Sequence, residues 1–125
     1  MPHLIIEASQ DLHVPNPDRL MAQLHQALFA TGQVKAINDL KSRFYHSACS
    51  LVGDGRTAEH FIMVQLYLMA ERDVATIARL CQVVADTIAQ FFATHLPNHD
   101  SQQPLQICVN PVELGAQYTK RNVHI

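Results

Sequence analysis

The stretch Phe61-Ile62-Met63-Val64-Gln65-Leu66-Tyr67-Leu68-Met69 decides the fold of this chain. Only Gln65 interrupts its run of apolar side chains. A strand that is apolar almost throughout is typical of a position covered on both faces of a sheet. We therefore expect helices against one face of this strand and another subunit against the other.

Downstream of this strand the sequence predicts a long helix and then a further short strand. Asp73 is placed to cap the start of a helix that reaches about His95, and Pro97 should end it. Leu105 to Val109 then predicts a strand after a polar linker. The apolar residues of the helix recur at helical spacing and form one stripe: Val74, Ile77, Cys81, Val84, Ile88 and Phe92.

Upstream, the same order of elements is predicted once more. The turn Gly53-Asp54-Gly55 precedes the central strand, and a strand from about Leu40 to Val52 leads into that turn. Before it, Asn16-Pro17 has the residue types preferred at a helix start, and Gly32 the type preferred after a helix end. Residues Pro2 to Ala8 form the first apolar strand.

The predicted order is strand, helix, strand, followed by strand, helix, strand. This order indicates an α+β fold in which two βαβ-like units form a four-stranded sheet with two helices on one face. We expect one domain over residues 1–125, which is an ordinary length for a single core. The opposite sheet face keeps apolar residues such as Phe61 and Met63, which predicts an oligomer.

Composition excludes several classes of function. The formal net charge of −2 gives no broad reason to bind nucleic acid or an anionic membrane. No apolar stretch approaches the roughly 20 residues of a membrane span, and the N-terminus lacks a signal-peptide pattern. Cys49, Cys81 and Cys108 are scattered and odd in number, which predicts reduced thiols and a cytoplasmic protein.

The proline behind Met1 is the strongest chemical signal. If Met1 is removed, Pro2 becomes a free secondary amine. An ordinary α-amine has a pKa of roughly 8, and burial or nearby cations lower such a pKa towards the neutral range where a general base works best. Many ordinary proteins also begin Met-Pro, so this feature alone does not decide the function.

Several segments together resemble the 5-carboxymethyl-2-hydroxymuconate Δ-isomerase family, which belongs to the tautomerase superfamily and uses an amino-terminal proline. The resemblance runs over almost the whole chain. It rests on Pro2-His3-Leu4-Ile5-Ile6-Glu7, on Ala27-Leu28 with Ala30-Thr31-Gly32, on Ser42-Arg43, on Asp54-Gly55, on Arg72, and on Asn122-Val123-His124.

This resemblance implies a homotrimer with an active site at each subunit boundary. It implies that Pro2 acts as acid and base, moving a proton within a dienol substrate to give an unsaturated ketone without cofactor or metal. The implied pathway is the bacterial breakdown of aromatic acids through homoprotocatechuate.

The residues that would bind the substrate follow from its charge. The substrate is a small polyanion, and an arginine can fork onto a carboxylate with two hydrogen bonds. Arg72 matches one family arginine and lies just before a helix N-terminus, which also favours anions. The second family arginine falls on Lys41, with Arg43 two residues on. Alternation along a strand places Lys41 and Arg43 on one face, so either can serve.

Two alternatives remain open at this stage. Because lysine lacks the arginine fork, Lys41 also fits a tautomerase of a simpler keto–enol acid such as phenylpyruvate. A trimeric protein that binds small acids without turnover is the other alternative. A metal site is not expected, because Pro97 interrupts the helical spacing between His95 and His99.

Overall fold

A computed structural model describes residues 2–95 and 103–125. Its order of elements is the predicted one, with an additional 3₁₀ turn before the second strand. The elements are β1 (His3–Ala8), α1 (Pro17–Ala30), the turn Ile37–Asp39, β2 (Lys41–His46), β3 (His60–Leu68), α2 (Val74–His95) and β4 (Leu105–Glu113).

The four strands form one sheet in the order β2-β1-β3-β4. Each βαβ unit contributes a parallel pair, β1 with β2 and β3 with β4, and the two units meet through antiparallel pairing of β1 with β3. The predicted α+β fold with two βαβ units is therefore confirmed.

The core lies between one face of the sheet and both helices. In β3, Ile62, Val64 and Leu66 are fully buried, whereas the alternating residues on the other face are only half-buried. Each fully buried aliphatic side chain contributes roughly 1.5–3 kcal/mol through the hydrophobic effect. The helices complete this core with Leu20, Leu24 and Leu28 from α1 and with Leu80, Val84, Ile88 and Phe91 from α2.

Both predicted helix caps are present. The side chain of Asn16 accepts a hydrogen bond from the backbone N–H of Arg19 at 3.2 Å. The carboxylate of Asp73 accepts one from the backbone N–H of Thr76 at 2.7 Å. The predicted helix stop at Pro97 lies outside the described residues.

The second strand is shorter than the sequence predicts. It was expected to reach Val52, but it ends at His46, because its pairing partner β1 ends at Ala8. The backbone N–H of Ser47 makes the last bond to β1, donating to the carbonyl of Ala8 at 2.9 Å. Among the described residues, no strand lies beside the segment that follows.

The predicted stripe of α2 also needs a correction. Val74 is 84% exposed, so it does not belong to the buried face. A rotation of about 100° per residue places Val74 at the margin of the face that Leu80, Val84 and Ile88 form. In the described part of the chain, no helix is long and apolar enough to cross a membrane.

Candidate active site at the sheet end that carries Pro2

Pro2 is buried directly before β1. Its carbonyl accepts a hydrogen bond from the backbone N–H of Lys41 at 3.2 Å. The next residue, His3, lies opposite Lys41 on β2 and opposite Tyr67 on β3. Pro2 therefore lies at the end of the sheet where β2 begins and β3 ends.

Arg72 lies at this same end, because β3 ends at Leu68 and α2 begins at Val74. The Nη2 atom of Arg72 donates to the carbonyl of Gln33, at 3.1 Å, in the segment that joins α1 to β2. Its Nη1 atom is shielded from solvent and has no hydrogen-bond partner among the described residues. A buried donor left without an acceptor is costly, most of all when it is charged. Arg72 thus keeps an unused hydrogen-bond donor at the end of the sheet that carries Pro2.

Lys41 and Arg43 share one face of β2, as the sequence predicts. They lie in register with His3 and Ile5, on the sheet face opposite the helices. The Nζ atom of Lys41 donates to the carbonyls of Asn38 at 2.8 Å and Asp39 at 3.3 Å. The Arg43 side chain is exposed. Two of the three Lys41 donors are therefore already used within the chain.

The C-terminal segment also reaches this end of the sheet, which the sequence does not reveal. The Nε2 atom of His3 and the hydroxyl of Tyr118 lie 3.1 Å apart. Burial is the largest cause that lowers the pKa of His3, followed by the nearby charges of Arg43 and Lys41. Because 115 residues separate His3 from Tyr118, no local pattern could have paired them.

A cavity of about 450 Å³ lies at the other end of the sheet, where β1 ends and β3 begins. Two carboxylates, Asp11 and Glu59, line it together with His60, and no lysine or arginine does. An anionic substrate would meet like charge in this cavity. The cations that suit such a substrate lie instead at the end that carries Pro2.

Metal ligands are not grouped in the described residues, where no three His, Cys, Asp or Glu side chains come together. His99, one of the two histidines weighed as a metal pair, lies outside those residues.

A family model for 5-carboxymethyl-2-hydroxymuconate isomerase matches residues 2–125. The chain belongs to this family. It is accordingly an isomerase, and the family predicted from its sequence is confirmed. In a direct comparison of sequences, no curated protein matches this chain significantly.

Solved structures share the fold at low sequence identity. A 5-carboxymethyl-2-hydroxymuconate isomerase from Deinococcus radiodurans R1 has a TM-score of 0.81 at 19% identity, covering 97% of this chain and 90% of that one. A 5-carboxymethyl-2-hydroxymuconate Δ-isomerase has a TM-score of 0.80 at 18% identity, with 98% and 89% covered. A fused 4-OT described as a symmetric trimer has a TM-score of 0.56 at 14% identity, with 89% and 85% covered.

Proposed function

We propose that this isomerase moves a proton on an unsaturated 2-hydroxy acid of the 5-carboxymethyl-2-hydroxymuconate type, with Pro2 as its acid and base and no cofactor. The observation that carries the proposal is the buried Nη1 atom of Arg72, which lies at the sheet end that holds Pro2 and has no partner within residues 2–95 and 103–125. A base and an anion-binding cation at one end of the sheet are what this reaction requires.

Removal of Met1 would expose the ring nitrogen of Pro2 as a secondary amine. Burial and neighbouring cations disfavour the protonated form of an amine, which keeps it available as a base. The substrate loses its hydroxyl proton and gains a proton at a distant carbon, and the double bonds shift so that the hydroxyl-bearing carbon becomes a carbonyl. Arg72 would bind a carboxylate and stabilise the negative charge that develops as the proton moves.

The proposed assembly is a homotrimer with its sites at the subunit boundaries. Two observations support it: the half-buried apolar residues Phe61 and Met63 on the open sheet face, and the trimer named for a solved structure with the same fold. We further propose that the enzyme acts in the cytoplasm of a bacterium, in the breakdown of aromatic acids through homoprotocatechuate.

The test follows the isomerisation of 5-carboxymethyl-2-hydroxymuconate by ultraviolet absorbance, with protein whose processed N-terminus is verified by mass spectrometry. We expect Pro2→Ala to lower kcat by about 10²- to 10⁴-fold, the usual contribution of a positioned acid–base group. Pro104→Ala is the matched control, since Pro104 also precedes a strand but is exposed at the other end. Equal activity of wild type and Pro2→Ala would contradict the proposal.

The hydrogen bonds of Lys41 favour one alternative substrate. Two of the Lys41 donors are bonded to the carbonyls of Asn38 and Asp39. Lys41 therefore has fewer hydrogen bonds to give to a second carboxylate than an arginine fork would have. A keto–enol monocarboxylate such as phenylpyruvate would not need that second cation. A higher kcat/KM for phenylpyruvate than for 5-carboxymethyl-2-hydroxymuconate, which carries three carboxylates, would support this alternative.

A further inference from the structure

The C-terminal segment of residues 114–120, here called the C-terminal strap, crosses the sheet end that carries Pro2. It starts beside β3, where the backbone N–H of Leu114 donates to the carbonyl of Leu68 at 2.8 Å. It then reaches His3 through Tyr118 and Asp39 through Lys120, whose Nζ lies 3.5 Å from the carboxylate. The strap therefore links β4 to β3, to β1 and to the turn before β2.

The contact between Tyr118 and His3 is close to the proposed base. The hydroxyl of Tyr118 lies 3.1 Å from the Nε2 atom of His3, and the two rings meet edge to face at 6.3 Å between centroids. Both side chains are half-buried. Because burial and the charges of Arg43 and Lys41 lower the pKa of His3, the ring that Tyr118 meets is the neutral imidazole at neutral pH.

A base at a chain terminus needs such support. Terminal residues fray unless something ties them down. The carbonyl of Pro2 accepts one backbone bond, from Lys41, and the first side chain beyond Pro2 that can anchor the terminus is that of His3. A misplacement of about 1 Å at a reacting group can cost up to about 10²-fold in rate.

We propose that Tyr118 and His3 are positioning residues that hold Pro2 in place for proton transfer, with the C-terminal strap as their support. This inference rests on the proposed role of Pro2. The hydrogen bond between His3 and Tyr118 would then join the two ends of the chain and keep Pro2 in place for proton transfer.

Tyr118→Phe tests the inference, because it keeps the ring and removes only the hydroxyl. We expect kcat to fall about three- to tenfold, as the loss of one hydrogen bond implies, with KM changed less than about twofold. Tyr45→Phe is the matched control, since Tyr45 is 55% exposed on β2 and should leave kcat unchanged. An equal change in kcat for both variants would overturn the inference.

His3 provides a test by rescue. We expect His3→Leu to lower kcat at least as much as Tyr118→Phe. His3→Gln should recover part of the loss, because an amide can still bond to the hydroxyl of Tyr118. If His3→Gln and His3→Leu were equally impaired, a hydrogen bond to Tyr118 would not be what positions Pro2.

Amide hydrogen exchange separates this inference from the proposed reaction. The N–H of Lys41 is bonded to the carbonyl of Pro2, so Tyr118→Phe should speed its exchange about three- to tenfold. The N–H of His60, bonded to Pro104, is the internal control and should not change.

If the exchange of the Lys41 N–H were unchanged in Tyr118→Phe, the proposed role of the C-terminal strap would be wrong, whatever the activity. Faster exchange with an unchanged kcat would overturn that role as well. A wild-type enzyme without isomerase activity would instead overturn the proposed function, and the exchange rate of Lys41 would then decide whether the strap holds Pro2.

Discussion

At one end of the sheet the carbonyl of Pro2 accepts a hydrogen bond from Lys41 at 3.2 Å; at the other end the carbonyl of Pro104 accepts one from His60 at 2.9 Å. In each case a proline lies directly before a strand and closes a parallel strand pair. We call the first end the proline corner and the second the cavity corner. Their backbones are closely alike.

The side chains make the two corners different. The cavity corner has an opening of about 450 Å³, and its lining includes Asp11 and Glu59 but no lysine or arginine. The proline corner has Lys41 and the Nη1 atom of Arg72, which has no hydrogen-bond partner in the part of the chain that the structure describes. The two corners therefore differ in the charge that they would present to an anionic substrate.

After Pro2→Ala, the largest effect in this comparison should come from Arg72→Ala. Removing a charge-assisted hydrogen bond costs about 1.5–3 kcal/mol, so we expect kcat/KM to fall roughly 10- to 100-fold in steady-state assays. Arg56→Ala is the matched control near the cavity corner, where Arg56 is exposed and bonded to Asp54 at 3.3 Å. A similar loss in both variants would remove the distinction between the two corners.

A smaller effect is expected from Lys41→Arg, which places at the proline corner the second arginine that the family resemblance implies. A guanidinium can bind a carboxylate with two hydrogen bonds, so we expect KM for 5-carboxymethyl-2-hydroxymuconate to fall about two- to fivefold. Lys35→Arg, an exposed lysine in the preceding segment, should leave KM unchanged. If KM instead rose in Lys41→Arg, the bonds from Lys41 to the 3₁₀ turn would matter more than a second hydrogen bond to the carboxylate.

The smallest effect concerns stability in mild acid. The Nε2 atom of His25 lies 2.8 Å from the hydroxyl of Ser42, and burial, followed by the charge of Lys41, lowers the pKa of His25 below 6.5. The unfolded chain then binds more protons below about pH 6.5, so the free energy of unfolding should fall as the pH falls through the folded-state pKa. Above pH 6.5 this histidine should contribute no pH dependence.

Urea unfolding at pH 7.5 and 5.5, at one fixed protein concentration, measures this effect. His25→Gln should lose less stability between the two pH values than the wild type does, because the variant lacks the imidazole that takes up a proton when the chain unfolds. The other titrating groups are the same in both proteins. The same loss in both proteins would show that His25 titrates alike in the folded and unfolded chains.

The regular elements could be predicted because their signals are local. The nearly continuous apolar run of β3 and the caps at Asn16 and Asp73 are each set within a few residues. The end of β2 at His46 could not be read locally, since it depends on where β1 stops.

The candidate site shows the same division. Alternation alone places Lys41 and Arg43 on one face, as the strand register confirms. The partner of Arg72 and the hydrogen bond between Tyr118 and His3 arise only when distant segments meet. Sequence therefore suggests which residues bear the chemistry, and the fold shows what holds them.

The strand order makes β2 and β4 the edge strands of the sheet. Edge strands are where a sheet can aggregate with another chain. An edge strand presents unpaired backbone N–H and C=O groups to any extended chain that comes near. The six residues of β2 give little length for such pairing, whereas β4 has nine. Pro111 lies within β4 and has no N–H to donate, so it interrupts the row of donors along that outer margin. Pro111 thus opposes the pairing of β4 with a strand of another chain.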